Sequence, residues 1–397
     1  MLRVRVLLQR DNRLALVAQP TAARERPIPE CDSRDGLRRT CREPAPSQTS
    51  VKLVNMDVFT ALDPRTEYSE TQLQLIVGAW VLATPFERKA KVSIDSGDVS
   101  EQDYDKRSIY SLLYSLYRTM GTVPSEVGEP YEFTFNTWGY AWPDGWGDKP
   151  ALANDPERFG KNAYTGLFHF KSVIDHLRSR EGRVHVVELG CGTGAGASHL
   201  MKSVLPHCTY EAFDMQEAAI QTSNRKFVPQ LDGRLKATRG DSTNLPIEDG
   251  IADLVLVCET HVTEMPGQVT DEDQRFFRTA LRLLKPGGMF VWANAIPDNT
   301  WQPCFDFLES IGLTQVEVCD VTEEAIAARD QDKLRADEYV DQVLNSMWGF
   351  RIPRFGTKKR VEARQAMLNF YRNPGTRLYD RLVERVDTYK VACFQKQ

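Results

Sequence analysis

Residues 184–200, Val-His-Val-Val-Glu-Leu-Gly-Cys-Gly-Thr-Gly-Ala-Gly-Ala-Ser-His-Leu, constrain the fold more than any other stretch of the chain. Four apolar residues interleaved with His185 and Glu188 read as a buried parallel strand. Gly190, Gly192 and Gly194 then mark a tight turn into a helix that starts with small residues. Without Cβ atoms a backbone can bend sharply and let a ligand lie against its amides at a helix N-terminus. The stretch therefore predicts strand, nucleotide-binding turn and helix, in that order.

A related Gly-x-Gly-x-x-Gly turn in dinucleotide-binding proteins is followed, about 20 positions on, by an acid. Asp214 stands in that place, after the apolar-leaning segment Tyr210 to Phe213, and can accept both ribose hydroxyls of an adenosine. Two further segments separate a dinucleotide from another adenosine ligand. Arg239-Gly-Asp-Ser242 ends a third candidate strand, Leu235 to Thr238, and Leu245-Pro246 leads to a fourth, Asp253 to Glu259. Leu283-Leu-Lys-Pro-Gly-Gly288 then turns into a fifth, Met289 to Trp292. Nothing after the fifth strand repeats a second mononucleotide half, which argues against a nicotinamide dehydrogenase.

At these residues the chain resembles the class I S-adenosylmethionine-dependent methyltransferases. The likeness is carried by the Glu-x-Gly-x-Gly-x-Gly turn, the acid at 214, the Gly-Asp-Ser at 240–242 and the Leu-Lys-Pro-Gly-Gly turn. It implies an α/β fold, a Rossmann-like sheet with helices on both faces, and S-adenosylmethionine as cofactor. It also implies roles: Gly190, Gly192 and Gly194 admit the cofactor, Asp214 holds the ribose, Met215 packs on adenine, and Asp241 and Ser242 reach the adenine edge. Glu188 either organises the turn or meets the methionine amine. Further pieces are Phe135-Asn-Thr-Trp-Gly-Tyr140, Gly166-Leu-Phe-His169, Cys258-Glu-Thr-His261 and Tyr389-Lys-Val-Ala-Cys-Phe394. Over residues 131–395 these resemble bacterial methyltransferases of lipid and polyketide hydroxyls, of the phthiotriolone dimycocerosate type. The implied acceptor is a hydrophobic small molecule of secondary metabolism.

Composition bears on partners and compartment. The net charge of −5, with no concentrated Lys/Arg stripe, disfavours a nucleic-acid partner, because phosphate binding needs clustered cations. Eight cysteines without a Cys-x-x-Cys pair indicate neither zinc nor a disulfide framework and fit a reduced, cytoplasmic setting. No catalytic metal constellation is visible. No run approaches the roughly 18 apolar residues of a membrane span. A homo-oligomer stays open.

The chain divides by composition. The first 50 residues hold ten arginines, no lysine and no sustained apolar period, and residues 1–55 read as a disordered leader or presequence; an organellar one is the alternative to a cytoplasmic protein. Residues 56–160 form an N-terminal cap, with helices at Thr71 to Leu82 and Ser108 to Met120. Residues 161–397 form the methyltransferase domain. Its first helix spans 160–180, a sixth strand spans Gln315 to Cys319, and a helical lid at 322–385 precedes the last strand, Thr388 to Gln395. In the cap, Tyr131, Phe135, Trp138 and Trp142 belong to the most aromatic segment, 131–146, and form one wall of an apolar acceptor pocket, or a plug tying the cap to the sheet. His169 is a pocket or core group.

Methyl transfer from a sulfonium is an in-line displacement, so placing nucleophile and methyl together in a dry site does most of the work. Open α/β sheets put reactive groups beyond the strand carboxyl ends, where Glu259 and His261 fall. His261 can take a proton from a hydroxyl near neutral pH, and Glu259 can orient it or act alone. In resembling enzymes that methylate carbon of sterols or prenyl diphosphates, a Glu here removes a proton from a cationic intermediate. O-methylation is the favoured expectation and C-methylation of an isoprenoid or sterol-like acceptor the alternative. From another class, the rival is a cofactor-binding interaction protein without chemistry.

Overall fold

The structure, a computed structural model, describes residues 2–8, 14–20, 122–125, 128–132, 134–135, 137–146, 150, 152, 154–260, 266–346 and 356–397. The chain divides into two compact units, Met1–Ala61 and Leu62–Gln397. In the first, β1 (Leu2–Leu8) and β2 (Leu14–Pro20) pair antiparallel, with Leu2 opposite Pro20 and Leu8 opposite Leu14. The rest of the expected leader and the helices expected at 71–82 and 108–120 lie outside the described residues.

The second unit is built on seven strands: β5 (His185–Leu189), β6 (Thr209–Asp214), β7 (Leu235–Arg239), β8 (Ala252–Cys258), β9 (Leu284–Pro297), β10 (Leu313–Asp320) and β11 (Asp387–Lys396). Their order in the sheet is β10-β11-β9-β8-β5-β6-β7. β5 lies parallel to both β6 and β8, and β8 is parallel to β9. β11 runs antiparallel between β9 and β10. Every residue of β8 is buried, as expected of a central strand covered on both faces. The strand order reverses at β5, and the crevice beyond the carboxyl ends there is where such sheets bind ligands. A smaller antiparallel pair, β3 (Thr122–Ser125) and β4 (Gly128–Glu132), precedes the sheet.

Alternation along the strands divides the interior into two cores. Val186, Tyr210, Leu254 and Val291 join one, together with Phe135, Tyr140 and Tyr164 from the chain before the sheet. Val187, Val255, Phe290 and Trp292 join the other, against an aromatic group that includes Phe277, Trp301 and Phe305. Two helices supply that second face. One, α5 (Asp271–Leu283), starts in a Thr270/Asp273 capping box; the other is α6 (Trp301–Ser310), while α3 (Ala195–Ser203) and α4 (Glu217–Lys226) bring Leu200 and Ile220 to the first core.

Two expectations are corrected. The single helix over 160–180 is two, α1 (Arg158–Gly166) and α2 (Lys171–Ser179). Tyr140 packs so tightly on Gly166 that a Cβ there would lie 2.0 Å from its hydroxyl, and Phe170 turns extended before α2. The turn expected at 283–288 belongs to a longer strand, since β9 begins at Leu284 and absorbs Gly287 as a left-handed residue at φ +72°. After β10, α7 (Thr322–Gln331) gives way through Asp332 to α8 (Lys333–Ser346). α9 (Gly356–Phe370) and α10 (Arg377–Val383) complete the segment between β10 and β11. Among the described residues no helix is long and apolar enough to cross a membrane.

Candidate active site

The glycine turn leaves β5 with Gly190, Gly192 and Gly194 all left-handed, at φ +81°, +54° and +79°. The amides of Gly190 and Cys191 donate to the carbonyl of Phe213 at 2.7 and 2.9 Å, which ties the turn to β6. A Cβ at Gly190 would lie 1.9 Å from Thr260 Cγ2, and Thr260 Oγ1 donates to the Gly190 carbonyl at 2.9 Å. The residue after Glu259 thus closes onto the turn. Asp214, at the end of β6, accepts the Gly192 amide on Oδ2 at 2.8 Å and the Gln216 amide on Oδ1 at 2.7 Å. Burial raises its carboxyl to about 6, against the pull of those amides.

The turn leads into an α-helix at Ala195–Ser203 capped by Gly194, so bare backbone, a helix N-terminus and an acid on the next strand meet at one place. That combination fits an adenosyl cofactor. Met215, half-buried after β6, offers its carbonyl to Arg239 Nε at 3.1 Å. After β7, Asp241 Oδ1 accepts the Thr243 amide and hydroxyl at 2.9 and 2.8 Å, with Ser242 buried beside it. Glu188 has no exposed surface. Its oxygens accept the hydroxyls of Tyr164 at 2.8 Å and Tyr210 at 2.9 Å, tying α1 to β6 beneath the turn. Burial raises this carboxyl to about 7, although both tyrosines pull it down.

The aromatic segment is fixed over the sheet by two carboxylates, the buried Glu157 and the half-buried Glu259. Glu157 Oε1 accepts the amides of Thr134 and Phe135 at 2.6 and 2.9 Å, and its Oε2 accepts the Thr134 hydroxyl at 2.8 Å. The Thr134 carbonyl in turn accepts from Thr193 Oγ1 of the glycine turn at 2.7 Å. Four residues on, Glu259 accepts the Trp138 amide on Oε2 and the Gly139 amide on Oε1, both at 2.8 Å. Tyr389 Oη donates to the same Oε1 at 2.7 Å. Burial raises the Glu259 carboxyl; these three donors and the charge of Arg329 oppose the rise. Glu259 is itself left-handed at φ +52°, a conformation that costs a non-glycine residue about 1–2 kcal/mol.

Phe135 and Trp138 line a small cavity of about 10 Å³, room for about one water, that Arg329, Asp332, Arg335 and Tyr371 close from the segment between β10 and β11. Trp142 and His169 are elsewhere. Trp146 stacks on the His169 ring at 4.0 Å and 5°, with Trp142 edge-on to Trp146 at 5.6 Å. Burial lowers the His169 pKa. Tyr131 belongs to β4, with its side chain outside the described residues, and His261 also lies outside them. Glu157, Tyr164, Arg329, Asp332 and Arg335 were not singled out from sequence. A faint signal existed for Arg329: it shares a helix face with the buried Ala325, at i to i+4 spacing, and sits beside buried Ala328.

A family model described as a methyltransferase domain matches residues 186–288. The phthiotriol/phenolphthiotriol dimycocerosates methyltransferase of Mycobacterium tuberculosis is 26% identical over 267 residues, 67% of this chain and 86% of its own length. The fatty-acid O-methyltransferase of Mycolicibacterium smegmatis is 26% identical over 216 residues, 54% of this chain and 69% of its own length. Among solved structures, geranyl diphosphate C-methyltransferase from Streptomyces coelicolor A3(2) aligns with a TM-score of 0.42 and 13% identity over 72% of this chain and 98% of that one. Phosphoethanolamine N-methyltransferase 2 of Haemonchus contortus aligns with a TM-score of 0.41 and 12% identity over 60% of this chain and 56% of that one.

Proposed function

We propose that this chain, which belongs to the class I S-adenosylmethionine-dependent methyltransferases, methylates an oxygen atom of a hydrophobic small molecule of lipid or polyketide type. The observation that carries the reading is the clamp on the aromatic segment. Glu259, at the carboxyl end of β8, holds the Trp138 and Gly139 amides, and so sets an apolar wall against the place where the sheet presents its reactive groups. Both relatives described above are named for lipid acceptors, and one for O-methylation.

When bound, S-adenosylmethionine supplies a methyl group on a positively charged sulfonium. The chain's own residues then have three tasks. The bare turn at 190–194 and Asp214 seat the adenosine half. Phe135 and Trp138 exclude water from the acceptor side, which keeps the nucleophile unsolvated and in line. Glu259 serves as a positioning residue, because its oxygens already accept three donors. C-methylation with Glu259 as the base would require that carboxylate to release them. A hydroxyl acceptor would pass its proton to His261, two residues further on. An acceptor that is already ionised would not need that step.

The test is transfer of label from methyl-tritiated S-adenosylmethionine into a host extract, followed by partition into organic, aqueous and precipitate fractions. Label in the organic phase is the expected result. Label confined to precipitated protein or nucleic acid would overturn the reading.

A further inference from the structure

We infer that Arg329 is a positioning residue for the acceptor side: from α7 it grips one end of the peptide group between Trp138 and Gly139 while Glu259 holds the other, and these opposite charges together seat the aromatic segment. That the segment walls the acceptor rests on the reading above; the placement of the two charges does not.

Residues 137–142 belong to no helix or strand, so their backbone groups must find partners elsewhere. The amides of Trp138 and Gly139 go to Glu259, each at 2.8 Å, and the Trp138 carbonyl accepts from Arg329 Nη2. The Tyr140 carbonyl accepts from Asn162 Nδ2 of α1 at 3.1 Å, and the Ala141 amide donates to the Glu324 carbonyl of α7 at 2.9 Å. These last two partners are neutral. The charged ones meet on a single peptide group, because the Trp138 carbonyl and the Gly139 amide belong to the same unit. Its dipole of about 3.5 D has a cation at the carbonyl end and an anion at the N–H end, which is the favourable orientation. Turned over, it would point carbonyl at carboxylate and N–H at guanidinium. Gly139 makes the observed orientation accessible: it is left-handed at φ +66°, and a Cβ on it would lie 1.9 Å from the Phe159 carbonyl.

Stability does not account for this arginine. Arg329 is only 4% exposed, and its Nε has no partner among the described residues. A buried cation is costly, and replacing a buried ion pair by well-packed apolar side chains is often neutral or stabilising. What the charge supplies is placement. Asp332 Oδ2 lies 3.8 Å from Arg329 Nη2, but Arg335 also takes both oxygens of Asp332, through Nε at 2.6 Å and through Nη2. Glu259 acts on Arg329 from the end of β8, and Arg329 in turn holds the Glu259 carboxyl down against the rise that burial imposes. Tyr140, Tyr389 and Cys258 face Glu259 as well, and burial keeps all three protonated. Arg372, 4.2 Å over the Trp138 ring, is paired with Asp387 at 3.2 Å. The Trp138 indole Nε1 is buried without a partner among the described residues, so the polar hold on residue 138 is through its backbone.

Helix α7 is registered on the same carboxylate. The Val321 amide donates to the Tyr389 carbonyl at 2.8 Å, and Thr322 Oγ1 accepts the Tyr389 amide at 2.9 Å. The hydroxyl of that tyrosine donates to Glu259 at 2.7 Å. One residue of β11 thus fixes both the start of α7 and the anion, and Arg329 stands about two turns along the helix from Thr322.

Hydrogen–deuterium exchange of the full chain, saturated with S-adenosylhomocysteine, reads the clamp as protection of residues 137–141 between about pH 5 and pH 8, with β8 as the reference for global opening. In the wild type, protection should fall as acid neutralises Glu259. Arg329→Gln should lower protection about tenfold at neutral pH and move the acid limb to higher pH, because the carboxyl then protonates sooner. Arg329→Lys keeps the charge, so the limb should stay near its wild-type place with part of the protection restored. Protection lowered equally at every pH, and alike in the lysine and glutamine variants, would mean a packing role and overturn the inference. So would an acid limb that persists in Glu259→Gln, a variant that serves even where Arg329→Gln fails to fold. In the labelled extract, Arg329→Gln should lower organic-phase label about tenfold with S-adenosylhomocysteine affinity kept within about twofold. An equal loss of that affinity would place Arg329 in the cofactor seat and overturn its acceptor-side role. A wild-type chain that yields no organic label removes the acceptor reading, whereas a shifted acid limb would still support the clamp.

Discussion

Tyr389 donates its hydroxyl to Glu259 at 2.7 Å across 130 residues of sequence, joining β11 to the carboxyl end of β8. The same carboxylate holds the two amides of the aromatic segment, so its removal and the removal of one donor differ in consequence. Glu259→Ala leaves three donors without their acceptor, each costing about 1–3 kcal/mol, and should destabilise the chain by more than about 3 kcal/mol. Tyr389→Phe loses one charge-assisted bond, about 1.5–3 kcal/mol. Urea denaturation of the two variants checks the order; equal losses would show that the Trp138 and Gly139 amides do not depend on Glu259.

The Glu188 carboxyl predicts a pH dependence of stability. Burial raises it from 4.5 to about 7, so the folded chain holds this proton more tightly than the unfolded chain does. Its contribution is fully present below about pH 4.5 and is lost as pH rises through 7, on the order of 3 kcal/mol in all. Asp214, raised to about 6, acts with the same sign at the lower end of that window. Glu188→Gln keeps an acceptor for a tyrosine and removes the titration. Its melting temperature should therefore gain on the wild type between pH 5 and pH 8. A difference that stays flat with pH would contradict this.

Gly190→Ala tests the closure of the turn. The added Cβ meets Thr260 Cγ2 at 1.9 Å and the backbone sits at φ +81°, so both space and conformation oppose it. A loss of at least about 2 kcal/mol is expected, combining left-handed strain with overpacking. Thr260→Val, which only removes the bond to the Gly190 carbonyl, should cost about 1 kcal/mol. Both should weaken S-adenosylhomocysteine binding, the glycine variant far more. Unchanged binding in Gly190→Ala would mean that the turn is not the cofactor seat.

His169 separates packing from chemistry. Its ring stacks on Trp146, a contact worth about 0.5–1.5 kcal/mol beyond the area buried. His169→Phe should preserve the stack, melting temperature and turnover, whereas His169→Ala should lose stability with little change in kcat. A collapse of kcat in the phenylalanine variant would give the imidazole a chemical role.

Much of the sheet was legible because its signals are local. Short apolar runs mark β5, β6 and β8, and glycines at 190, 192 and 194 mark a turn that side chains would block. The departures have non-local causes. Nothing between 160 and 180 announces a break, because the reason is the ring of Tyr140 packed on Gly166. The candidate site was legible in its backbone parts and much less so in its charges. Arg329 reaches a carbonyl 191 residues away, and in the sequence it is one of several charged residues in a polar helix. Glu157 likewise gains meaning only when folding brings Thr134 and Phe135 to it. Trp138 was singled out for its ring, while its unpaired indole nitrogen and the cations around it emerge only from packing.

The placement of β11 also governs how the molecule can be assembled during translation. β10 has no sheet partner among the described residues except β11, and β9 needs β11 to cover its outer edge. The ribosome must deliver all of α7 to α10 before that strand emerges. Until it does, β9 presents an unpaired row of amides and carbonyls next to Phe290 and Trp292, a template for pairing with another nascent chain. Release of the polypeptide before Asp387 would therefore yield a species prone to aggregation, and the interval spent making the lid-sized insertion is the period in which a chaperone has most to protect.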